Sequence, residues 1–189
     1  MACLRRATWP AHQRLEKRLD VRSRFATLGA YVEHLRGLWG FCAGLEARIP
    51  AATIGALLAD YPARRKLPLL TRDLESLGIP AAELGGLPRC TALPDCTDAA
   101  AAFGCLYVFE GATLGGQTLL PLVAARLGCD AARGAAFLAS YGDAVGAMWQ
   151  RFGAALDAFC VDRERRASAE EAATATFAAL EAWLCGQPA

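Results

Sequence analysis

The chain has 189 residues, 20 Lys and Arg against 19 Asp and Glu, and only two histidines. This length suits one domain with its own apolar core, and a hydrophobic share of 54% excludes disorder. The net charge of +1 does not favour a nucleic acid partner. Two histidines are also too few for a His-rich metal centre or for a di-iron site built from paired Glu-x-x-His motifs.

Neither a membrane span nor an export signal is expected. The longest apolar run, residues 99–109, is shorter than the ~18 residues that a transmembrane helix needs. Arg5 and Arg6 precede an amphipathic stretch that has no apolar signal core or cleavage site. We therefore expect a cytoplasmic protein without a membrane partner, in which the eight cysteines are reduced and act as small hydrophobic residues.

Apolar residues follow a helical spacing almost throughout the chain. In the first predicted helix, Pro10 either kinks the helix or lies in its first turn after an N-cap at Thr8. Thr97 or Asp98 is expected to cap a long apolar helix that stops at Gly128. A charged turn at 162–167 and a capping box at 168–171 are expected to precede the last helix. The sequence predicts an all-α fold, one domain over 1–189, with seven or eight helices at about 3–19, 23–48, 52–59, 63–77, 98–127, 131–140, 143–161 and 168–185.

A glycine-rich segment interrupts the long apolar helix. Gly111, Gly115 and Gly116 lie within six residues, although each helical glycine costs about 1 kcal/mol relative to alanine. Gly111 and Gly115 are four residues apart, so they open one face of the helix. Two interpretations stay open: close packing against another helix, or a flat ligand against bare backbone.

His12 is the histidine with a candidate partner. Glu16 follows one helical turn later and could hold one imidazole nitrogen, which would make the other a better metal ligand. Arg5 lies two turns earlier on the same face, about 10 Å away at 1.5 Å per residue. By contrast, His34 is interpreted as a polar surface position on an amphipathic helix.

Several basic, aromatic and cysteine residues are interpreted mainly as surface or core positions. The basic run Arg64-Arg65-Lys66 is expected to be a solvated helix start, although it could face an anionic ligand or an acidic redox partner. Arg151 is a weaker candidate for the same anionic ligand. Trp149 and Phe152 are expected to be core residues rather than pocket residues. Cys90 and Cys96 lack the additional nearby ligands that a metal site needs.

Four segments of the chain resemble the haem oxygenase family. The first is Leu4-Arg5-Arg6-Ala7-Thr8 with His12 and Glu16, and the most specific is Leu106-Tyr107-Val108-Phe109-Glu110-Gly111-Ala112-Thr113-Leu114-Gly115-Gly116-Gln117. Tyr141-Gly142 followed by Met148-Trp149 and Phe152 is similar to a third family segment, and residues 177–184 resemble the last family helix. The closest likeness is to the short bacterial members associated with bacteriophytochromes.

The resemblance implies a role for each matching residue. His12 would be the proximal ligand of the haem iron, on an N-terminal helix, with Glu16 beside it. Gly111, Gly115 and Gly116 would let a kinked distal helix lie closely over the other haem face. The remaining matches would contact the haem itself: Arg5 and Tyr107 at the propionates and Phe177 against the ring. Ala112 stands where animal members carry an aspartate, which leaves the proton-delivery residues unassigned.

The resemblance further implies O2-dependent degradation of haem to biliverdin, CO and ferrous iron. Because the sequence carries no flavin or iron–sulfur motif, electrons would come from an external reductase or ferredoxin, and a bacteriophytochrome could accept the biliverdin. A non-catalytic haem carrier or sensor on the same scaffold is the main alternative. A helical interaction module that binds no haem and a thiaminase-like enzyme are two others, although the thiaminase would need a carboxylate cluster that the sequence does not indicate.

Overall fold

The computed structural model describes residues 1–186. Within that range the chain forms eleven α-helices and one short 3-10 helix, and it contains no β-strand. The prediction of an all-α fold is confirmed. The α-helices are α1 (Ala2–Leu19), α2 (Val21–Arg24), α3 (Leu28–Glu46), α4 (Ala51–Leu57), α5 (Tyr61–Arg64), α6 (Leu67–Ser76), α7 (Ala81–Leu84), α8 (Ala99–Leu127), α9 (Ala136–Ala139), α10 (Val145–Phe159) and α11 (Arg163–Cys185), and the 3-10 helix is Gly142–Ala144.

The first helix continues through its proline. α1 runs from Ala2 to Leu19 with Pro10 inside it, so the prediction of an N-cap at Thr8 is wrong. The Thr8 hydroxyl instead donates to the carbonyl oxygen of Leu4 at 2.8 Å, as helical threonines do. Pro10 only removes one backbone donor, the N–H that would bond to the preceding turn. His12 and Arg5 therefore lie on one continuous helix.

Three other predicted boundaries are wrong, each because a capping side chain or a turn takes precedence over the apolar pattern. Thr27 caps α3 by accepting from Ala30 N, so the predicted helix at 23–48 divides into two. Asp162 caps α11 by accepting from Arg165 N, so the predicted charged turn is the first turn of the helix. Asp130 begins a tight turn by accepting from the backbone N–H groups of Ala132 and Arg133, and only Ala136–Ala139 of the predicted helix at 131–140 remains helical.

The long apolar helix α8 forms the centre of the fold. Asp98 caps it, Gly128 ends it in the left-handed conformation, and every residue from 100 to 110 is buried. A helix buried on all sides must be surrounded by other elements. Gly104 lies so close to the backbone of Ala169 on α11 that a Cβ would collide with it. By length and hydropathy α8 alone among the described helices could cross a membrane, yet 72% of its most apolar window is buried inside the fold.

The cysteines behave largely as expected. All eight are free thiols, and six of them are buried. Cys96 and Cys105 lie in the core, both fully buried. Their role is to fill apolar space.

Candidate functional site

A cavity of about 580 Å³ lies between the first half of α1 and the middle of α8. This volume falls in the range of small-molecule sites, which are mostly apolar with a few polar groups. α1 contributes two arginines and a tryptophan, α8 contributes a tyrosine, and α10 contributes a second tryptophan. The lining residues are Met1, Ala2, Arg5, Arg6, Trp9, Tyr107 and Trp149.

His12 lies one helical turn beyond the cavity-lining Trp9. The indole of Trp9 stacks on the imidazole, with ring centroids 5.8 Å apart and planes 10° apart. Phe177 of α11 meets the same imidazole edge-on at 5.6 Å. The two aromatic rings fix the orientation of the imidazole. Trp9 was not predicted as a site residue, although its position three residues before His12 places it on the same helix face.

The two nitrogens of His12 have different environments. Nδ1 is buried without a hydrogen-bond partner and lies 3.6 Å from Oε2 of Glu16, somewhat beyond hydrogen-bond distance. The side chain as a whole is 41% exposed. An imidazole whose Nδ1 faces a carboxylate has Nε2 free for a ligand or a metal.

Arg5 of α1 and Tyr107 of α8 line the same cavity. Burial raises the pKa of the Tyr107 phenol, while the charge of Arg5 acts in the opposite direction. The Arg5 charge therefore acts directly on the phenol. Tyr107 also packs on Trp149, with ring centroids 5.5 Å apart. A guanidinium and a phenol side by side can bind a carboxylate.

The three glycines of α8 differ in their surroundings. A Cβ on Gly115 would meet nothing within 4 Å, and one on Gly111 would only touch the Trp149 ring at 3.9 Å. A Cβ on Gly116 would instead lie 2.5 Å from the carbonyl oxygen of Leu138 on α9. The packing interpretation thus applies to Gly116, while Gly111 and Gly115 leave a face of α8 bare, and a ligand against that face stays a prediction.

Next to Gly111, an ionic cluster lies in the protein interior. Glu110 is 1% exposed and pairs with Arg64, which is 0% exposed, and with Lys66 at 2.8 Å. The expectation that Arg64 and Lys66 are solvated is therefore wrong, because the Glu110 carboxylate draws both into the core; only Arg65 of that run is exposed, paired with Glu46. Glu110 was missed in the sequence, although a lone acid directly after the apolar run 99–109 is a signal for a buried ion pair.

Arg151 lies near an aspartate, and the two aromatic residues near it differ in burial. Arg151 is 61% exposed, and its Nε lies 3.5 Å from Oδ2 of Asp60. Phe152 is fully buried, as predicted. Trp149 is only partly buried against the core and lines the cavity, so the prediction that it is only a core residue is wrong.

His34 is buried rather than on the surface, which corrects the prediction. It is 6% exposed, and its ring lies against Phe25, with centroids 5.7 Å apart. Burial, and secondarily the charge of Arg24, lowers the pKa of His34 to about 3. The side chain is neutral at physiological pH and lies in a second cavity, formed with Arg18 and Trp183.

No group of three or more His, Cys, Asp or Glu side chains could hold a metal ion in residues 1–186. A metal carried by an organic ligand needs fewer protein ligands than a bare ion, because the ligand supplies most of the coordination. His12 beside an apolar cavity with arginines at its rim meets that lower requirement.

Known proteins resemble this chain over nearly its full length. The family model described as heme oxygenase matches residues 1–185. A heme oxygenase from Xanthomonas campestris pv. campestris (strain 8004) is 29% identical over 160 residues, which cover 83% of this chain and 90% of that protein.

Two solved structures have the same fold. The NO- and CO-bound heme oxygenase from Neisseria meningitidis superposes with a TM-score of 0.81 at 23% identity, covering 98% of this chain and 92% of that one. Heme oxygenase from Leptospira interrogans superposes with a TM-score of 0.76 at 18% identity, covering 98% of both chains. At these identities the structures show the shared fold, and the match to the family model shows the family. The chain therefore belongs to the haem oxygenase family.

Proposed function

We propose that this chain uses O2 and external electrons to degrade haem to biliverdin, CO and ferrous iron, with His12 as the axial ligand of the haem iron. Family membership supports haem as the substrate. The observation that carries the proposal is the pairing of an oriented histidine on α1 with bare glycine backbone on α8. A flat ring with a metal at its centre needs a ligand on one face and open space on the other.

His12 fits the role of ligand. Neutral histidine is a common axial ligand of haem iron and leaves the opposite position open for O2. Glu16 lies 3.6 Å from Nδ1, so a small movement would form a hydrogen bond that fixes the tautomer and makes Nε2 more basic. Trp9 and Phe177 hold the ring by contact on its face and edge. In this proposal Phe177 orients the histidine and also borders the haem.

Arg5 and Tyr107 would anchor the haem edge. The two haem propionates are carboxylates, and the Arg5 guanidinium and Tyr107 phenol both line the cavity. An arginine and a hydroxyl are suitable donors to a carboxylate. An anchor at these two residues would set the orientation of bound haem, and with it the meso carbon presented to α8.

Gly111 and Gly115 would form the distal wall. Because neither has side-chain atoms, α8 can approach the haem plane closely, and their backbone groups can hold ordered water or bind a polar ligand directly. Gly116 keeps α8 against α9, as its contact with Leu138 indicates. Bound haem supplies the iron that binds and activates O2, while the protein positions the ring and excludes other reactions.

The electron donor is proposed to be a separate reductase or ferredoxin. A bacteriophytochrome is a candidate acceptor of biliverdin, and the cytoplasm is the proposed location. Neither nucleic acid nor a membrane is a proposed partner.

A haem titration followed by absorbance spectroscopy tests the site. The wild type is expected to bind haem with a histidine-ligated Soret spectrum, and the His12→Ala variant is expected to lose that signature while keeping its helical circular dichroism. The matched control is His34→Leu, which changes the other histidine and should leave the spectrum unchanged. An unaltered spectrum in His12→Ala would overturn the assignment of the ligand.

A non-catalytic haem carrier or sensor is the second candidate. Ala112 favours it, since this position offers no carboxylate to organise water on the distal side. The two functions differ in one result, which is whether haem bound to the protein disappears when a reductant and O2 are supplied.

A further inference from the structure

The buried ionic cluster next to Gly111 lies outside the lining of the cavity between α1 and α8. Glu110 directly precedes Gly111, and its carboxylate pairs with Arg64 and Lys66. Burying charges is expensive, and a core of apolar residues is often as stable. A cluster of this kind at this position therefore invites a functional explanation.

The cluster joins four separate parts of the fold. Arg64 donates to both oxygens of Asp60, at 2.6 and 2.8 Å, and also to Glu110 on α8. Two further donors of Arg64 reach the carbonyl oxygen of Met148 on α10, each at 3.2 Å. Lys66, which precedes α6, donates to Glu110 at 2.8 Å and to the Tyr141 hydroxyl at 2.6 Å. Arg64 and Glu110 make most of these links, and Lys66 also bonds directly to Tyr141.

The same contacts fix the neighbours of the distal glycines. Trp149 follows Met148 in the chain, packs on Tyr107, and lies 3.9 Å from the Cβ position of Gly111. Arg64 thus holds α10 by its backbone at the residue before Trp149, while Glu110 holds α8 at the residue before Gly111. The Arg64–Glu110 pair thus links the residue before Trp149 to the residue before Gly111, alongside the direct packing of Trp149 on Tyr107.

We propose that Glu110 is a positioning residue which, through Arg64, sets the height and rotation of the glycine segment of α8 over the haem, and thereby the choice of meso carbon. This inference rests on the proposed haem oxygenase function. Glu110 itself touches neither haem nor O2 in this scheme. Its effect is transmitted by α8, because Glu110 and Gly111 are consecutive residues of one continuous helix.

Two variants test the role of the carboxylate. Glu110→Gln keeps the shape of the side chain and removes its charge, which leaves one positive charge of the cluster uncompensated, since Asp60 still pairs with Arg64. If that uncompensated charge prevents folding, the double variant Glu110→Gln with Lys66→Met removes one cation together with the anion and keeps the charge balance. Tyr141→Phe removes only the hydroxyl that donates to Glu110 at 2.6 Å. Arg65→Gln is the matched control, since Arg65 belongs to the same basic run but pairs with Glu46 outside the cluster.

The readouts are the C–O stretching band of the CO complex and the ratio of biliverdin isomers. In whichever Glu110 variant folds, we expect haem to stay histidine-ligated, the C–O band to shift or split, and the isomer ratio to change about tenfold, which corresponds to ~1.4 kcal/mol between competing transition states. Tyr141→Phe should change the C–O band and the isomer ratio in the same direction but by less. Arg65→Gln should match the wild type in both readouts. Lower thermal stability with an unchanged band and isomer ratio would overturn the inference, because it would show a purely structural role. Failure of the wild type to bind haem would instead overturn the proposed function.

Discussion

Gly116 on α8 lies against Leu138 on α9 so closely that a Cβ on the glycine would come within 2.5 Å of the leucine carbonyl oxygen. A Cβ on Gly115, the preceding residue, would meet nothing within 4 Å. Adjacent glycines in one motif therefore serve different purposes. One permits helix packing, and the other exposes backbone.

This difference predicts opposite effects on stability. Gly116→Ala should lower the free energy of unfolding by about 1–3 kcal/mol, because α8 and α9 must move apart to admit the methyl group. Gly115→Ala should raise that free energy by up to about 1 kcal/mol, because alanine favours the helix and meets nothing. Urea unfolding followed by circular dichroism measures both. Equal effects in the two variants would contradict the separation of roles.

A bulkier substitution at Gly115 tests the proposed distal wall. Gly115→Leu should fold normally, since the position is open, but it should weaken haem binding and turnover by about tenfold or more, since even small misplacements in a reactive site are costly. The control is Gly29→Leu on α3, where a Cβ also has open space and no cavity is lined. Haem titration and turnover rates give the comparison. Normal haem binding and turnover in Gly115→Leu would show that haem does not lie against Gly115.

His34 predicts a dependence of stability on pH. Because its pKa in the folded state is about 3, below the ordinary 6.5, protons bind preferentially to the unfolded chain between these values. The contribution of neutral His34 to the free energy of unfolding is complete above pH 6.5. It is lost as the pH falls towards 3, at up to about 1.4 kcal/mol per pH unit. His34→Leu should reduce that slope between pH 6.5 and 5. The two proteins are compared by urea unfolding at each pH, with pH 8 as the reference, and parallel curves would refute the prediction.

Much of the fold could be predicted from apolar spacing and caps. The prediction of the long helix that ends at Gly128 is confirmed, because its apolar run is long and its cap and stop residues are strong local signals. The boundaries near Thr27 and Asp162 were wrong, because a capping side chain interrupts or extends a helix regardless of the apolar pattern. Short elements such as α9 depend on tertiary contacts: buried Asp73 accepts from the N–H groups of Ala136 and Phe137.

The candidate site was predicted in part. His12, Arg5 and Tyr107 could be proposed from motif likeness, and the structure brings Arg5 and Tyr107 to one cavity, with His12 stacked on its Trp9 wall. The burial of Arg64 and Lys66 could not be predicted, because a charged residue near a helix end is usually solvated. Two partners of Arg64, Glu110 and the Met148 carbonyl, lie 46 and 84 residues from it in sequence, so only the three-dimensional structure accounts for the buried arginine. His34 lies inside α3, and its burial against Phe25 depends on tertiary packing.

The central claim is that haem bound at His12 is consumed rather than stored. The most direct measurement is the absorbance spectrum of the haem complex during aerobic incubation with a reductase or ferredoxin system, beside an anaerobic control. The account predicts that the Soret band disappears while biliverdin absorbance rises, and that neither change occurs without O2. A Soret band that persists, with no biliverdin formed by any suitable electron donor, would contradict the account and identify the protein as a haem carrier or sensor.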